Sequence, residues 1–239
     1  MSLILNIETG TDICSVALSR DNELIALRES TEGRDHARLL GVYIDELLKE
    51  NQLDPDELDA VAVGKGPGSY TGLRIGVSMA KGLCYGQKIP LIGIGSLEAL
   101  ANVAAEDFEA GILDIEEEEW AVARLCPMID ARRMEVYAQV FDSQLHPLNE
   151  VAAYVVGPES FAAYIGGEGP LVIFGNGSAK CVGTLPSEGV KALNVTPSAR
   201  GLVGPAFRAF QAEQFEDVAY FEPFYLKDFV VTTSKKKLF

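Results

Sequence analysis

Apolar and polar positions alternate from the start of the chain. Leu3–Glu8 and Cys14–Ser19 read as two short strands, joined by the Gly- and Asp-bearing turn TGTD at Thr9–Asp12. Ser15, Ala17 and Ser19 interleave with Val16 and Leu18, which is the period of a strand with two faces. Glu23–Arg28 reads as a third strand after the Asp21–Asn22 turn, so the chain opens as a meander. The period then lengthens. Asp35 is placed to cap a helix running to about Asn51, with apolar residues at Leu39, Leu40, Tyr43, Ile44, Leu47 and Leu48. That stripe is wider than one packing contact needs. Leu40, Ile44 and Leu48 could face a sheet and leave Leu39, Tyr43 and Leu47 for another surface. Equally, the whole stripe could pack inside.

LDPDEL (Leu53–Leu58) reads as a loop with a capping start, and Asp59–Gly64 as a short apolar strand. After a glycine-rich loop, Leu73 to about Tyr85 reads as a helix with small residues at Gly76, Ala80 and Gly82. Small residues at such spacing let another helix approach closely. Pro90–Ile94 predicts a strand, and Ser96 a helix cap for a helix to about Ala105. The acidic stretch Asp107–Glu119 predicts a solvated loop or helix face. The pattern then restarts. Trp120–Asp130 and Glu135–Phe141 alternate like paired strands around the turn Ala131–Met134, and Tyr154–Val156 reads as another strand. Pro158 is placed to open a helix through about Ile165. Leu171–Phe174 predicts a strand leading into GNGSAK (Gly175–Lys180), and Pro197–Gln214 a last helical stretch. Two halves, each beginning with strands, predict an α/β chain of two subdomains with a sheet in each, 1–105 and 106–239. The late helix, at about 197–214, is expected to pack back toward the first half. No short internal repeat is visible between the halves.

Composition narrows the function. The chain has 239 residues, 48% of them hydrophobic, ample for a core. No apolar run is long enough to span a membrane, and the MSLILNIETG start lacks the basic, then long apolar, pattern of a secretory leader. A cytoplasmic protein is expected. Cys14, Cys84, Cys126 and Cys181 are far apart, which fits buried thiols rather than a zinc ribbon or disulfide frame. The net charge of −15 repels phosphate backbones, so tight binding of nucleic acid by this chain alone is not expected. The short basic tail Lys235–Lys237 is too small to alter that.

GKGPGSYTGLRIG (Gly64–Gly76) is the most informative segment. Glycines between a strand and a helix start permit sharp bends and close approach, and free N–H groups there can hold an anion. The spacing matches neither a Walker loop nor the Rossmann fingerprint. Anion binding and tight structural packing both fit the residues.

With that segment the chain becomes recognisable. LNIETGTDICSVAL resembles the first hairpin of the actin-like, sugar-kinase and Hsp70 ATPase superfamily, a ribonuclease H-like fold. GKGPGSYTGLRIG followed by AKGL resembles the hallmark of the TsaB (YeaZ) family. GRDHARLL (Gly33–Leu40), DARRMEVYA (Asp130–Ala138) and EPFYLKD (Glu222–Asp228) resemble further segments of that family, in order. The resemblance implies a non-catalytic subunit that pairs with a homologous catalytic chain, TsaD. TsaD transfers threonylcarbamoyl to adenosine 37 of tRNAs reading ANN codons. It also implies a TsaE-like ATPase as a further partner, and self-association when the chain is alone. The contact would use the first two helices, carrying Leu39, Tyr43 and Leu47 on one and Arg74, Val77, Met79 and Ala80 on the other. The resemblance gives the chain no cofactor of its own. It places Arg132 near a nucleotide at the partner contact; the plainer reading of Arg132 is a surface ion pair in its hairpin.

The residues themselves argue little for catalysis. The histidines, His36 and His146, lie too far apart in sequence for the paired ligands that the catalytic relatives use. Glu8 could orient metal and water in a kinase, or simply accept hydrogen bonds from the Gly10–Asp12 turn. Asp130 could act as a second acid or fix its own hairpin through Arg132 or Arg133. Lys65 and Arg74 flank the glycine loop and suit either a phosphate or, the plainer reading, carboxylates of a partner. An active ATP-dependent kinase-like enzyme and a homodimeric binding module stand as alternatives to the scaffold subunit.

Overall fold

The opening alternation folds as it reads. β1 (Leu3–Glu8), β2 (Cys14–Arg20) and β3 (Glu23–Ser30) form an antiparallel meander, with Leu5 opposite Leu18 and Leu18 opposite Ala26. The structure, a computed structural model, describes residues 1–30 and 35–227; the tail lysines Lys235–Lys237, and Gly33 and Asp228 of the quoted segments, lie outside the described residues. β4 (Ala60–Gly66) and β5 (Leu91–Gly95) join β1 in parallel, giving the order β3-β2-β1-β4-β5. Parallel neighbours need crossovers, and these are α1 (His36–Glu50) and α2 (Tyr70–Gln87).

Strand β1 is buried on both sides, and its period of two sorts the core. Leu3, Leu5 and Ile7 pack with Leu40, Ile44, Leu47 and Leu48 of α1 and with Val77, Ala80 and Cys84 of α2. Ile4 faces the other way, into a cluster of Ala17, Ala60, Ala62, Ala199, Leu202 and Ala206.

The second sheet repeats the first in connectivity. β6 (Arg124–Asp130), β7 (Glu135–Ala138) and β8 (Ala152–Val155) make an antiparallel meander. β9 (Leu171–Phe174) and β10 (Val190–Ala192) extend it in parallel on the β6 side, giving β10-β9-β6-β7-β8. The crossover helices are missing from this half: only 3-10 turns at Ala162–Tyr164 and Ala179–Cys181 occupy their places. One face of this sheet is covered by α3 (Ser96–Glu109), through Leu97, Leu100, Ala101 and Ala104 against Leu125, Ile129 and Phe174. The other is covered by Phe161, Cys181 and Leu185 from the connecting loops.

Several elements differ from the sequence reading. Pro158 opens no α-helix; Phe161 takes φ 63°, off the helical path, and buries its ring. Trp120 lies not in a strand but in the short α4 (Glu117–Ala121), where its ring stacks on Phe108 at 4.4 Å. The acidic stretch is not all solvated: Asp107 is buried and accepts from Arg200 at 2.7 Å, beside a matching bond to Glu106. The last helical stretch splits into a 3-10 turn, Ala199–Leu202, and α5 (Val203–Gln211). Ser198 starts it by accepting the Arg200 N–H, and the turn lies directly against α3.

That contact depends on a missing side chain. A Cβ on Gly201 would sit 2.1 Å from the Ala99 carbonyl oxygen, whereas one on Gly204 would meet nothing closer than the flexible tip of Arg208 at 3.3 Å. Gly201→Ala is therefore expected to cost about 2–3 kcal/mol of stability. Gly204→Ala should be neutral or slightly stabilising, by up to about 1 kcal/mol. Urea unfolding of the two variants checks both.

Candidate functional site

Two surfaces carry the sequence-predicted residues: the glycine-rich end of the first sheet, and the outer face of α1 and α2.

At the sheet end, β4 runs into the loop Pro67–Ser69, and Ser69 caps α2 by accepting the Gly72 N–H at 3.3 Å. The helix therefore begins at Tyr70, before the expected Leu73. The β1–β2 turn presses into it. Ser69 N–H donates to the Gly10 carbonyl at 2.6 Å, and the Thr9 hydroxyl donates to the Gly72 carbonyl at 2.8 Å. A Cβ on Gly72 would lie 2.0 Å from the Thr9 carbonyl oxygen. This is the packing alternative for the glycine loop, realised by the chain's own turn.

Glu8 closes the same corner. Its carboxyl is buried, accepting from Gly10 N–H at 2.6 Å and from the Ser96 hydroxyl at 2.9 Å. The expected bond to the Gly10 turn is present. The bond to Ser96 was not foreseen: Ser96 is the first residue of α3, and its hydroxyl goes to Glu8 rather than capping the helix. A Cβ on Gly64 would fall 2.1 Å from Glu8 Oε2, so Gly64 leaves room for this carboxyl. Burial pushes the Glu8 carboxyl above its ordinary value of 4.5, against the lowering effect of those hydrogen bonds.

The charged residues nearby are partly spoken for. Lys65 lies 3.7 Å from Glu216, and its carbonyl accepts from Phe224 N–H at 2.7 Å. Asp130 fixes its own hairpin: it accepts from Arg132 N–H at 2.8 Å, donates its own N–H to Asn176, and pairs with Lys180. Arg132 and Arg133 are exposed and both hold positive φ, 69° and 51°. His36 is buried, with Nε2 3.1 Å from the Ile13 carbonyl, and His146 lies 3.2 Å from Asp142. Among the described residues no group of three or more His, Cys, Asp or Glu could hold a metal ion.

On the helix face, the sequence reading is corrected in phase. Leu47 and Ala80 are fully buried and Val77 nearly so; all three belong to the core and offer nothing to a partner. The reason is that α1 packs on the sheet and on α2 at once, which draws Leu47 inward with Leu40, Ile44 and Leu48. Leu39, Tyr43 and Met79 are half-buried at the core's edge, and Arg74 is exposed. Along the outer side of α2 runs an open groove of roughly 730 Å³, bounded by Ala37 of α1 and lined by Tyr70, Arg74, Ile75, Met79, Gly82 and Leu83. Ile75, Met79 and Leu83 recur every four residues, a stripe the sequence contained beside the buried phase of Val77, Ala80 and Cys84. Arg74 donates to the Tyr70 hydroxyl at 2.8 Å and lies over that ring at 5.1 Å.

Two sheets of one topology define the class: the two-subdomain actin-like, sugar-kinase and Hsp70 ATPase fold. A solved relative of that shape is component A of (R)-2-hydroxyglutaryl-CoA dehydratase from Acidaminococcus fermentans, 11% identical with a TM-score of 0.50 over 90% of this chain and 100% of that one. The family profile described as TsaD, tRNA N6-adenosine threonylcarbamoyltransferase, matches residues 29–220. The YeaZ structure from Pseudomonas aeruginosa superposes with a TM-score of 0.79 at 26% identity, covering 95% of this chain and 100% of that one. The tRNA threonylcarbamoyladenosine biosynthesis protein TsaB of Haemophilus influenzae is 39% identical over 134 residues, 56% of this chain and 51% of that protein. The chain thus belongs to the TsaD family, in its TsaB (YeaZ) branch. The sequence match spans about half the length of the curated relatives.

Glu8 gives a pH-dependent consequence. The folded chain holds the Glu8 proton more tightly than the unfolded chain does. Its contribution to stability therefore falls as pH rises from the ordinary glutamate value through the raised one. Glu8→Gln should flatten that part of the pH–stability curve. It should also melt about 2–4 °C above the parent near pH 8, on the order of 1 kcal/mol. Thermal melts of both proteins between about pH 4 and 9 test it.

Proposed function

We propose that this chain is a non-catalytic subunit in tRNA threonylcarbamoyladenosine biosynthesis, and that it docks a TsaD-like catalytic chain through the outer face of α1 and α2. The observation that carries the reading is the open apolar groove along Ile75, Met79 and Leu83. A contiguous apolar surface of this kind marks an interaction site. The names of its relatives supply the pathway and the catalytic homologue. The product is threonylcarbamoyl on adenosine 37 of tRNAs reading ANN codons, and the chemistry belongs to the partner. A TsaE-like ATPase joins the pair, and the isolated chain self-associates through the same face, because an uncovered apolar groove favours an isologous contact. The setting is cytoplasmic; among the described residues no helix is long and apolar enough to cross a membrane.

Charge fits this division of labour. At −15 the chain is a poor partner for tRNA, so RNA binding falls to the other subunits. Arg132 stands exposed on a hairpin turn, where a nucleotide phosphate at the subunit contact would find a charge-assisted donor. The kinase alternative is disfavoured by Glu8, whose two oxygens are taken by Gly10 and Ser96 in a buried corner.

Met79→Asp and Tyr43→Asp should each weaken association with the TsaD homologue at least tenfold, about 1.4 kcal/mol or more. Both residues sit at the rim of the core, so the isolated variants should remain folded. Co-purification, with modification assays run with and without this chain, reads the outcome. Unchanged pairing in both variants would displace the docking face. Brisk ATP turnover by the purified chain, at rates of roughly 1–100 per second, would replace the scaffold reading with the kinase one.

A further inference from the structure

The groove does not end with α2. After α5 the chain returns as a strap, residues 216–227, across the edge of the first sheet. Glu216 N–H donates to the Leu91 carbonyl at 2.8 Å, at the free edge of β5. Phe221 is buried in the α1–α2 core. Lys81 of α2 reaches over and donates to the Ala219 and Phe221 carbonyls at 3.1 and 2.9 Å. Phe224 N–H donates to Lys65, which places the next residue, Tyr225, against the groove: its ring centroid lies 4.9 Å from that of Tyr70. Lys227 then crosses to the second half, pairing with Glu135 and lying 5.9 Å over the Tyr137 ring.

The strap is thus fixed through its backbone and one buried phenylalanine, while its other rings point outward. Tyr220 is 84% exposed, Phe224 43% and Tyr225 38%. Aromatic side chains held on a rigid backbone bury large areas on binding at little ordering cost, and Tyr and Arg dominate binding hot spots. Here Tyr70, Arg74 and Tyr225 form one cluster at the end of the groove, assembled from two distant segments of chain.

We infer that the strap is the second wall of the docking face, and that Tyr225 is a specificity-determining residue for the TsaD-like partner. This rests on the docking role proposed above and adds a segment that no helix-face argument includes. The occupant is the catalytic homologue itself. The ring-and-guanidinium corner suits an apolar helix that also carries a carboxylate for Arg74.

The test is calorimetric titration of the full chain with the TsaD homologue, using Tyr225→Ala, Tyr225→Phe and Met79→Asp. Tyr225→Ala is expected to bind at least about tenfold more weakly, and Tyr225→Phe within about twofold of the parent. Hydrogen exchange of wild-type residues 218–227 should slow when the partner is added; this reading needs no variant to fold. Parental affinity in Tyr225→Ala beside lost binding in Met79→Asp overturns the strap and leaves the groove standing. Parental affinity in both overturns the docking role with it. Unchanged exchange in the strap of a formed complex also overturns the inference.

Discussion

The carboxyl of Glu8 and the turn that follows it occupy space that three glycine-poor elements could not share. Gly64 would place a Cβ on that carboxyl, and Gly72 would place one on the Thr9 carbonyl. Removing both lets β1, β4 and α2 converge at one point, where the Thr9 hydroxyl donates to the Gly72 carbonyl and the Ser69 N–H donates to the Gly10 carbonyl. Ser96 adds α3 to the same knot through Glu8. Everything distal follows. The angle of α2 decides where its outer stripe of Ile75, Met79 and Leu83 emerges. The start of α3 decides where the helix beneath the second sheet runs. A buried carboxyl without a cation is an expensive way to make such a joint. In this fold it fills the corner at the carboxyl ends of parallel strands, where open α/β sheets otherwise receive ligands.

The two sheets share a connectivity but not a wrapping. The first keeps full crossover helices. The second has 3-10 turns in their places and borrows α3 for one face, while the chain returns α5 to the first sheet. The halves are thereby interlocked: each sheet is completed by a helix that follows the other half's strands. The asymmetry also explains where a partner surface can form. α1 and α2, the full crossover helices of the first sheet, each keep an outer side that the sheet does not use.

Strands were legible because alternation at a period of two is local, and β1, β2 and β9 emerge within a residue of their expected limits. The restart of the pattern was legible as a second sheet, but its shared strand order was not, since the second half connects its parallel strands through loops and 3-10 turns rather than helices. The phase of α2 was misread because Val77 and Ala80 are conspicuous beside glycines, yet those glycines face two environments: Gly76 meets Thr9, whereas Gly82 meets nothing. The Glu8–Gly10 bond could be read from a short sequence separation; the Glu8–Ser96 bond joins residues 88 apart and leaves no local trace. The strap, lacking any period, gave no sign of its path across α2.

Gly82 and Gly86 carry the argument one step further. Both lie inside or near the end of α2 on exposed positions, and a Cβ on either would meet nothing within 4 Å. Each costs the helix roughly 0.8–1 kcal/mol relative to alanine, and the isolated chain gains no packing in return. Tyr85 between them is 84% exposed, a second departure in the same turn. Within a single chain these choices are pure loss. Against an incoming helix they are not: glycine lets backbones approach closely while a neighbouring ring covers the rim. Of the two, Gly82 lines the groove itself, so part of the stability given up along α2 lies on the groove face.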